Sequence, residues 1–473
     1  RQMCIRDRDN ALQLMYNLND YGVVCALLQA VKDEVKTMAQ AFFGGVHPHD
    51  MKAATNEKAI EQLAPPAEVV IPMSMHFGAP CTPLVKVGDQ VKVGQKIGEF
   101  HGLGAPIHAS VSGKVKAVEP RPYSMGGDIT SVVIENDFQD TLSEEVQAPA
   151  NPDALTVEQM VEIVKNAGIV GMGGAGYPTP IKTKLPENKK ADCLIVNAIE
   201  CEPYLTADGA LMLEKAEQII IGAKIINKAL GIQNAVIAID ENKPQAIEKL
   251  TKISKSYIGV NVRVCKSKYP QGGERQLINA ITGREVPSGR LPIDAGCIVQ
   301  NVATVFAIYE AVMKHKPLYE RILTVSGNTA LTTPGNYRVR VGTPAEYILD
   351  LAQTRKEEIG KLLFGGPMMG TAVPNLQTPI TKLTSGLLVL SAAEALKPDE
   401  SCCIRCGKCA EVCPVGLLPF NIASDLRRND TSRLRELHVM DCIECGSCAY
   451  TCPAKVPLLD YCKLGKYEFK KRK

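Results

Sequence analysis

The hydrophobic pattern changes its period several times along the chain, and each change predicts a different kind of element. Across residues 69–135, short runs of Val, Ile and Gly alternate with turn residues, which is typical of a small all-β unit built from hairpins. The near-identical stretches 85–88 and 91–94 predict a pair of short strands within it. From Thr156 the apolar positions recur at helical spacing, and the predicted helix ends at Gly168.

Beyond that helix, buried strands are predicted to alternate with amphipathic helices. The predicted strands are 194–196, 235–239 and 260–264, and the predicted helices are 206–230, with Thr206 as its N-cap, and 244–254. Alternation at this spacing favours a parallel sheet with helices on its faces. Residues 323–390 shift to Thr, Gly and Val, which indicates an α+β connecting domain, and 392–398 link it to a cysteine-rich end. The predicted fold class is therefore multidomain α/β and α+β.

Composition narrows the classes of function. The 473 residues include 54 Lys and Arg against 51 Asp and Glu, so a net charge of +3 is too balanced for a protein that mainly binds nucleic acid. No apolar stretch approaches the roughly 20 residues needed to cross a bilayer. Residue 1 is Arg and Met38 is a plausible start, so 1–37 are expected to be a non-native or disordered extension. The alternative is a helix over 11–39.

Seventeen cysteines include two complete copies of a Cys-x2-Cys-x2-Cys-x3-Cys-Pro repeat. The repeats comprise Cys403, Cys406, Cys409 and Cys413, and then Cys442, Cys445, Cys448 and Cys452. Three thiolates at this spacing wrap one corner of a cubane, while the fourth ligates the other cluster in two-cluster ferredoxins. We therefore expect two 4Fe-4S clusters with crossed ligands, Cys452 joining the first three cysteines and Cys413 joining the second three. Structural zinc is the alternative. Most of the other nine cysteines, among them Cys462, are expected to fill cores. Cys402 could compete with Cys403, but Cys402-x3-Cys406 breaks the cluster spacing, so Cys402 is left out of the ligand set.

A glycine-rich loop is the second candidate site. Gly171, Gly173, Gly174 and Gly176 satisfy G-x-G-x-x-G, and Lys182 follows closely enough to supply a charge. A helix precedes the loop and two prolines follow it, which argues against a dinucleotide-binding fold. Without Cβ atoms the backbone amides can still approach a phosphate or a flat ring. A tight turn without a ligand is the alternative.

The loop and its neighbours resemble the flavoprotein subunit of respiratory complex I. Residues 173–179 are similar to the G-G-A-G-F-P-T loop that holds FMN there, and this likeness implies non-covalent FMN in this chain. It also implies that Asn197, Glu200 and Glu202 surround the isoalloxazine and the nicotinamide of NAD(H). Gly272 and Glu274 would lie near the NADH ribose, and Asn301 near FMN. Gly273 and Ala303 replace acidic residues of that family's pattern.

Taken together, these motifs resemble the RnfC family of the Rnf complex, a membrane-associated ferredoxin:NAD+ oxidoreductase, with 43–48 and 106–113 adding to the match. The family implies a series of domains. These are a barrel-sandwich hybrid domain at 38–140, an FMN- and NADH-binding α/β domain at 150–315, a β-grasp-like (SLBB-type) domain at 320–392, a two-cluster ferredoxin-like domain at 393–460 and a basic tail at 461–473. Residues 69–135 also resemble lipoyl and biotinyl carrier domains, but 98–103 contain no Lys, so a docking module is expected there.

The resemblance implies electron transfer between ferredoxin and NAD+ through FMN and two 4Fe-4S clusters, coupled to Na+ or H+ translocation. The expected partners are the other Rnf subunits, both integral membrane and iron–sulfur proteins, with ferredoxin reached indirectly. The expected location is the cytoplasmic face of the cell membrane, as a peripheral subunit. No side chain is predicted to act as a catalytic acid or base. The alternatives are a soluble cobalamin reductase-like protein and a non-enzymatic electron-wire subunit.

Overall fold

The computed structural model describes residues 41–148, 151–185 and 188–471. The expected extension at 1–37 and the alternative helix at 11–39 lie outside the described residues. The described chain begins with an irregular segment that leads into β1 (Ile60–Gln62). This strand pairs in parallel with the strand Gly335–Arg340, some 275 residues later, so the segment before the first sheet crosses to another domain.

The β-rich domain contains two antiparallel sheets packed around one core. Its strands are β2 (Glu68–Pro72), β3 (Thr82–Pro83), β4 (Gln90–Val91), β5 (Lys96–Glu99), β6 (Ile107–His108), β7 (Gly113–Pro122) and β8 (Asp128–Asn136). The sheet orders are β2-β8-β7-β4 and β3-β5-β6. The predicted pairing of 85–88 with 91–94 is wrong, because only the second stretch contributes a strand and it pairs with β7. Gly88 and Gly94 both have positive φ, so each near-copy ends in a turn and not in a ladder.

The α/β domain has a four-stranded sheet with helices on both faces. Its elements are α1 (Val157–Asn166), α2 (Thr179–Thr183), β9 (Cys193–Ala198), α3 (Ala207–Glu214), α4 (Ala216–Leu230), β10 (Ala235–Asp240), α5 (Pro244–Ser254), β11 (Val260–Cys265), α6 (Glu274–Thr282), β12 (Cys297–Asn301) and α7 (Val302–Lys314). The order is β11-β10-β9-β12, and all three strand pairs are parallel. The predicted parallel sheet is confirmed, and the carboxyl ends of its strands share one edge.

The predicted helix 206–230 is instead two helices that break at Lys215. Thr206 precedes the first helix but does not cap it, because its hydroxyl bonds to the side chains of Thr55 and Asn336. The carboxylate of Glu200 accepts from Asp208 N at 2.7 Å and from Gly209 N at 3.2 Å in its place, while Ala207 N donates to Thr324 Oγ1. A cap supplied from another loop leaves no local sequence pattern.

The third domain is a mixed sheet with one packed helix. Its elements are β13 (Glu320–Gly327), β14 (Gly335–Arg340), α8 (Ala345–Leu351), β15 (Ile359–Phe364), β16 (Thr371–Ala372) and β17 (Gly386–Ser391). The six-stranded order is β1-β14-β13-β17-β15-β16, in which β13 and β17 are parallel neighbours at the centre. Leu323, Ile348 and Leu387 are fully buried between the sheet and α8.

The cysteine-rich end is a small helical domain. The helix α9 (Ala392–Ala395) packs against β15 and β17 of the third domain. The helices of the cysteine-rich end are α10 (Lys408–Glu411), α11 (Pro419–Arg427), α12 (Ser447–Tyr450) and α13 (Leu458–Lys471). Short 3-10 helices occur at Pro152–Ala154, Pro292–Ala295, Lys356–Glu358 and Val439–Asp441. Of the expected basic tail, residues 461–471 lie in α13, which buries Leu458, Cys462 and Gly465, and residues 472–473 lie outside the described residues. Among the described residues, no helix combines the length and apolar character required to cross a membrane.

Candidate functional site

The glycine-rich loop lies against the amino-terminal end of α7. Met172 N donates to Thr304 Oγ1 at 2.9 Å, and Met172 O accepts from the buried Arg321 guanidinium at 2.7 Å. Gly174 has a φ of +105°, and a Cβ there would face open space. The amides of Gly173, Gly174 and Ala175 have no acceptor within the described part of the chain. A row of free amides beside open space fits a phosphate-bearing cofactor.

Asn301 joins this loop to the helix behind it. Its Oδ1 accepts from Ala303 N at 3.0 Å and Thr304 N at 3.4 Å, which caps α7. Its Nδ2 donates to Asp208 Oδ2 at 2.8 Å. Asn301 also lies opposite Gly173, where a Cβ would come within 3.5 Å of it. The capped helix therefore presents the positive end of its dipole at the loop.

Lys182 and Glu274, two residues predicted for the site, contact each other. Lys182 Nζ donates to Glu274 Oε1 at 2.7 Å and to Val299 O at 3.2 Å. Glu274 begins α6, and Lys182 lies in α2, so this pair links α2 to the start of α6. The space between these two helices and the glycine-rich loop is called the cleft below. In this arrangement the lysine charge is balanced by a carboxylate.

The end of β9 carries the remaining predicted residues. Asn197 Nδ2 donates to Gly272 O at 2.8 Å, which ties the strand end to the turn before α6. Glu200 follows with a φ of +49°, and its carboxylate accepts from Asp208 N and lies 3.7 Å from Lys243 Nζ. Burial raises the pKa of Glu200. Its carboxylate is thus engaged by the scaffold beneath the site.

Glu202 reaches the third domain. Its carboxylate accepts from Met368 N at 3.1 Å and from Met369 N at 2.8 Å. Burial raises the pKa of Glu202 to about 7, while these two amides act in the opposite direction. The loop 366–369 is therefore held against the end of β9.

The first set of predicted cluster ligands lines one cavity. Cys403, Cys406, Cys409 and Cys452 all border it, although Cys452 comes from the second repeat. Cys403 and Cys406 are exposed, and Cys409 is buried. Four thiols around one cavity fit the sulfur-only coordination of a 4Fe-4S cluster.

The second set of predicted cluster ligands is more deeply buried than the first. Cys413 and Cys445 are buried, and Cys442 and Cys448 are half-buried. Burial raises the pKa of Cys413, and the nearby Cys445 and Cys448 raise it further, so the last cysteine of the first repeat lies beside the second repeat. Four thiols are again the sulfur-only donor set that a 4Fe-4S cluster takes. Cys462, expected as a core residue, is buried and packs beside Cys442.

The second repeat packs directly against the α/β domain. The Tyr269 hydroxyl donates to Cys445 O at 2.7 Å, and this tyrosine is only 2% exposed. Tyr269 also pairs through its backbone with Val46, and Gly45 N donates to Val412 O at 2.8 Å. The irregular segment before β1 therefore fastens the turn 269–273 to the cysteine domain.

Three residues around the site carry no motif and were not predicted. Arg321 comes from β13, and burial lowers its pKa to about 10. Asp208 begins α3 and receives the Asn301 amide. Lys52 Nζ donates to Glu200 O at 2.7 Å and to Leu205 O at 2.6 Å, and burial, followed by Lys243, lowers its pKa to about 8. Only Asp208, an acidic residue in the first turn of a predicted helix, left a sequence pattern.

Comparison with known families matches three parts of the chain. Residues 40–139 match the RnfC barrel sandwich hybrid domain, 164–310 the Nuo51 FMN-binding domain, and 402–456 the 4Fe-4S dicluster domain. The predicted barrel-sandwich, FMN-binding and two-cluster domains are confirmed, as are FMN and 4Fe-4S clusters as the cofactors.

Three relatives, all RnfC proteins, are similar over most of their length. The one from the Na(+)-translocating ferredoxin:NAD(+) oxidoreductase complex of Acetobacterium woodii is 46% identical, covering 90% of this chain and 96% of its own. The one from the proton-translocating complex of Clostridium ljungdahlii is 45% identical, over 91% and 94%. The one from the ion-translocating oxidoreductase complex of Rhodobacter capsulatus is 40% identical, over 91% and 83%. The chain belongs to the RnfC family of the ion-translocating oxidoreductase complexes.

Proposed function

We propose that this chain is the peripheral subunit that exchanges electrons with NAD(H) in a ferredoxin:NAD+ oxidoreductase complex. Its partners would be the other Rnf subunits, with ferredoxin reached indirectly, and the complex would couple electron flow to Na+ or H+ translocation. The names of its relatives support this assignment. The translocase activity would belong to the complex, while this chain supplies the nicotinamide-reacting end.

One observation carries the proposal: the second cysteine repeat lies against the turn that closes the nucleotide cleft. Tyr269 donates to Cys445 O, and Gly272, three residues later, accepts from Asn197 at the end of β9. Cys445, Tyr269 and Val46 share one small apolar cluster, with Cys201 at its edge. The two cofactor sites are therefore separated by a single buried turn.

The cleft needs only to bind and orient FMN and NAD(H), because no side chain has to accept or donate a chemical group. FMN, when bound, supplies the exchange between two-electron nicotinamide and one-electron clusters. The amides of residues 173–175 and the start of α7 would hold its phosphate. Asn197 fixes the backbone of the turn, and the Lys182–Glu274 pair bounds the cleft on its far side. No side chain is assigned as an acid or base.

We further propose the crossed ligand set for the two clusters. Cys403, Cys406, Cys409 and Cys452 would hold the outer cluster, and Cys442, Cys445, Cys448 and Cys413 would hold the cluster next to the flavin. The common cavity of the first four and the position of Cys413 beside Cys445 support it. Electrons would then pass between the cleft and the inner cluster, and between the outer cluster and a partner.

The finer domain assignment is also a proposal. We propose the boundaries 38–140, 150–315, 320–392 and 393–460, with β1 as an added edge strand of the third domain. A β-grasp-like fold for 320–392 is supported by the order β14-β13-β17-β15-β16, with α8 between the first hairpin and the rest. Residues 461–471 would then belong to the cluster domain through α13 and not form a separate tail.

For location we propose the cytoplasmic face of the membrane, with the barrel-sandwich domain docking to membrane partners. Its supporting feature is a set of exposed apolar side chains, of which Val87 and Phe138 are each 62% exposed. Replacing both by Asp should move the protein from the membrane fraction to the soluble fraction. The same change at Ile258, which is 91% exposed on the α/β domain, is the control. Equal release by both variants would contradict the docking assignment.

The electron-transfer function is tested by Gly174→Val. A side chain at this position would occupy the open space beside the free amides and strain a backbone at φ +105°. The variant should lose flavin, and NADH should no longer bleach the cluster absorbance, although dithionite still should. Gly126→Val is the matched control, because Gly126 has a φ of +96° and also faces open space, in a distant hairpin. Full flavin content in Gly174→Val would place the flavin elsewhere.

A further inference from the structure

We propose that the surface around the first cysteine repeat docks an acidic one-electron carrier domain, and that Arg405, Lys408 and Lys455 recognise it. The inference rests on the proposed function, since it assigns the outer cluster as the entry point for electrons from a partner. It goes beyond that function by naming the docking surface, its charge and the chemistry of the partner.

The two repeats differ at every charged position of their loops. Arg405 occupies the place that Glu444 has in the second repeat, because each precedes the second cysteine of its copy. Lys408 corresponds in the same way to Ser447, and Lys455, three residues after Cys452, corresponds to Gly416. Arg405 and Lys408 line the first cavity, and Lys455 lies between Ala454 and Val456, which line it together with Cys452.

The two loops differ in solvent exposure as clearly as they differ in charge. Residues 401–408 are all exposed, Ile404 being 67% exposed, whereas Ser447 is completely buried. Arg405, Lys408 and Lys455 form no ion pairs within the described chain. Glu444, in contrast, is paired with Lys466. Three solvated cations near three exposed thiols and an exposed Ile form a small patch with a charged rim, which suits a transient electron-transfer contact.

One nearby acidic residue allows the sign of the partner's charge to be tested. Glu411 is exposed and closes the short helix that Lys408 begins, so it reduces the positive potential of the patch. An acidic partner should be repelled by Glu411 and attracted by the three cations. A basic or neutral partner would give the opposite response or none.

The step itself is one electron crossing the interface. The partner is oxidised by one electron, this chain is reduced by one, and no proton or other group moves. Because charged rims mainly change the association rate, the effect should appear in the second-order rate constant and should depend on salt.

The test uses the full chain loaded with both cofactors, and a chemically reduced acidic bacterial ferredoxin as the probe. Stopped-flow mixing follows bleaching of the cluster absorbance from low salt to about 1 M. Arg405→Glu combined with Lys408→Glu should lower the second-order rate constant about 10-fold at low salt. The difference should disappear near 1 M salt, where the screening length is about 3 Å. Glu411→Lys should raise the rate constant.

Lys463→Glu is the matched control, since this exposed lysine lies on α13 and does not line the first cavity. Lys455→Glu provides a variant outside the ligand loop in case the double change disturbs cluster loading, which iron analysis reports. NADH-driven bleaching, measured on every variant, separates this proposal from the function on which it rests. An unchanged rate constant in Lys455→Glu and Glu411→Lys, or an equal fall in Lys463→Glu, would overturn the docking surface.

Discussion

The two cysteine repeats have the same backbone and opposite surroundings. Each reads Ile-x-Cys-Gly-x-Cys-Ala, and Gly407 and Gly446 both have a φ of +77° at the start of a one-turn helix. Arg405 and Glu444, one residue before the second cysteine of each copy, share a φ of +56° to +58°. Yet the first loop is exposed, while the second is packed against the turn at Tyr269.

This difference shows that the repeat sequence determines the backbone conformation around each ligand site. The neighbouring elements determine what each site contacts. Positive φ at the glycine lets the chain wrap closely around a ligand in either copy. Around the second copy, the α/β domain supplies a hydroxyl to Cys445 O, and its Gln276 amide donates to Pro414 O at the end of the first repeat, next to Cys413. Nothing comparable covers the first loop among the described residues. One copy is therefore suited to exchange with the cleft and the other to exchange with a partner.

The largest expected effect comes from breaking the crossed ligation. Cys413→Ser should remove the cluster bound by Cys442, Cys445 and Cys448, because Cys413 lies beside them although it belongs to the first repeat. NADH should then fail to reduce the remaining cluster. Electron paramagnetic resonance of the variant, with iron analysis, distinguishes the two clusters.

Cys452→Ser is the mirror-image control. It should remove the outer cluster and leave NADH reduction of the inner one intact, since Cys452 lines the cavity of the first repeat. If each variant loses the cluster of its own repeat, ligation is not crossed.

A second prediction concerns Glu202, which holds the loop next to Gly446 of the second repeat. A Cβ at Gly446 would lie 3.2 Å from Met368 O, and Glu202 binds the amides of Met368 and Met369. Burial raises the pKa of Glu202 from 4.5 to about 7. The folded chain therefore holds this proton more tightly than the unfolded chain does.

The sign of the pH dependence follows from that shift. Stability from a carboxyl with a raised pKa is complete below pH 4.5 and is lost as the pH rises through about 7. Relative to Glu202→Gln, the wild-type free energy of unfolding should fall by about 3 kcal/mol across this window, at about 1.4 kcal/mol per pKa unit. Chemical denaturation from about pH 4.5 to about pH 8 measures it, and a pH-independent difference would exclude a raised pKa.

The local parts of this architecture could be predicted from the sequence. The cysteine repeats, the helix from Thr156 and the strands around Ile195 and Ile237 depend on spacing and period within one segment. Thr156 caps this helix, with Gln159 completing a capping box within the same few residues. Such features were found because all their determinants lie within a few residues.

The long-range parts could not be predicted in this way. β1 joins a sheet through a strand 275 or so residues away, and Glu200 caps a helix that Thr206 was expected to cap. The contact of Tyr269 with Cys445 spans 176 residues. Each depends on how domains meet, which no period or spacing records, and this is why the unequal roles of the two repeats had no sequence signature apart from their charges.

A third prediction tests the contact that the first repeat lacks. Tyr269→Phe would leave the buried Cys445 carbonyl without its donor, which should cost about 2 kcal/mol of stability. NADH-driven reduction of the clusters should slow, while reduction by an external ferredoxin through the outer cluster should not. Stopped-flow measurement of both reactions on one sample compares them directly. Equal slowing of both would mean that Tyr269 has no specific role at the second repeat.

The smallest expected effect comes from neutralising the charged residue that differs between the two loops. Glu444→Gln removes the ion pair with Lys466, although Lys466 Nζ keeps its bond to Cys442 O at 3.1 Å. Because the pair is partly exposed, its loss should cost at most about 1 kcal/mol, and less at high salt. Arg405→Gln should change stability by no more than about 0.5 kcal/mol, since Arg405 has no ion pair among the described residues. Thermal unfolding of the holo chain at two salt concentrations measures both changes. A larger loss from Arg405→Gln than from Glu444→Gln would mean that the first loop is held by contacts as specific as those of the second.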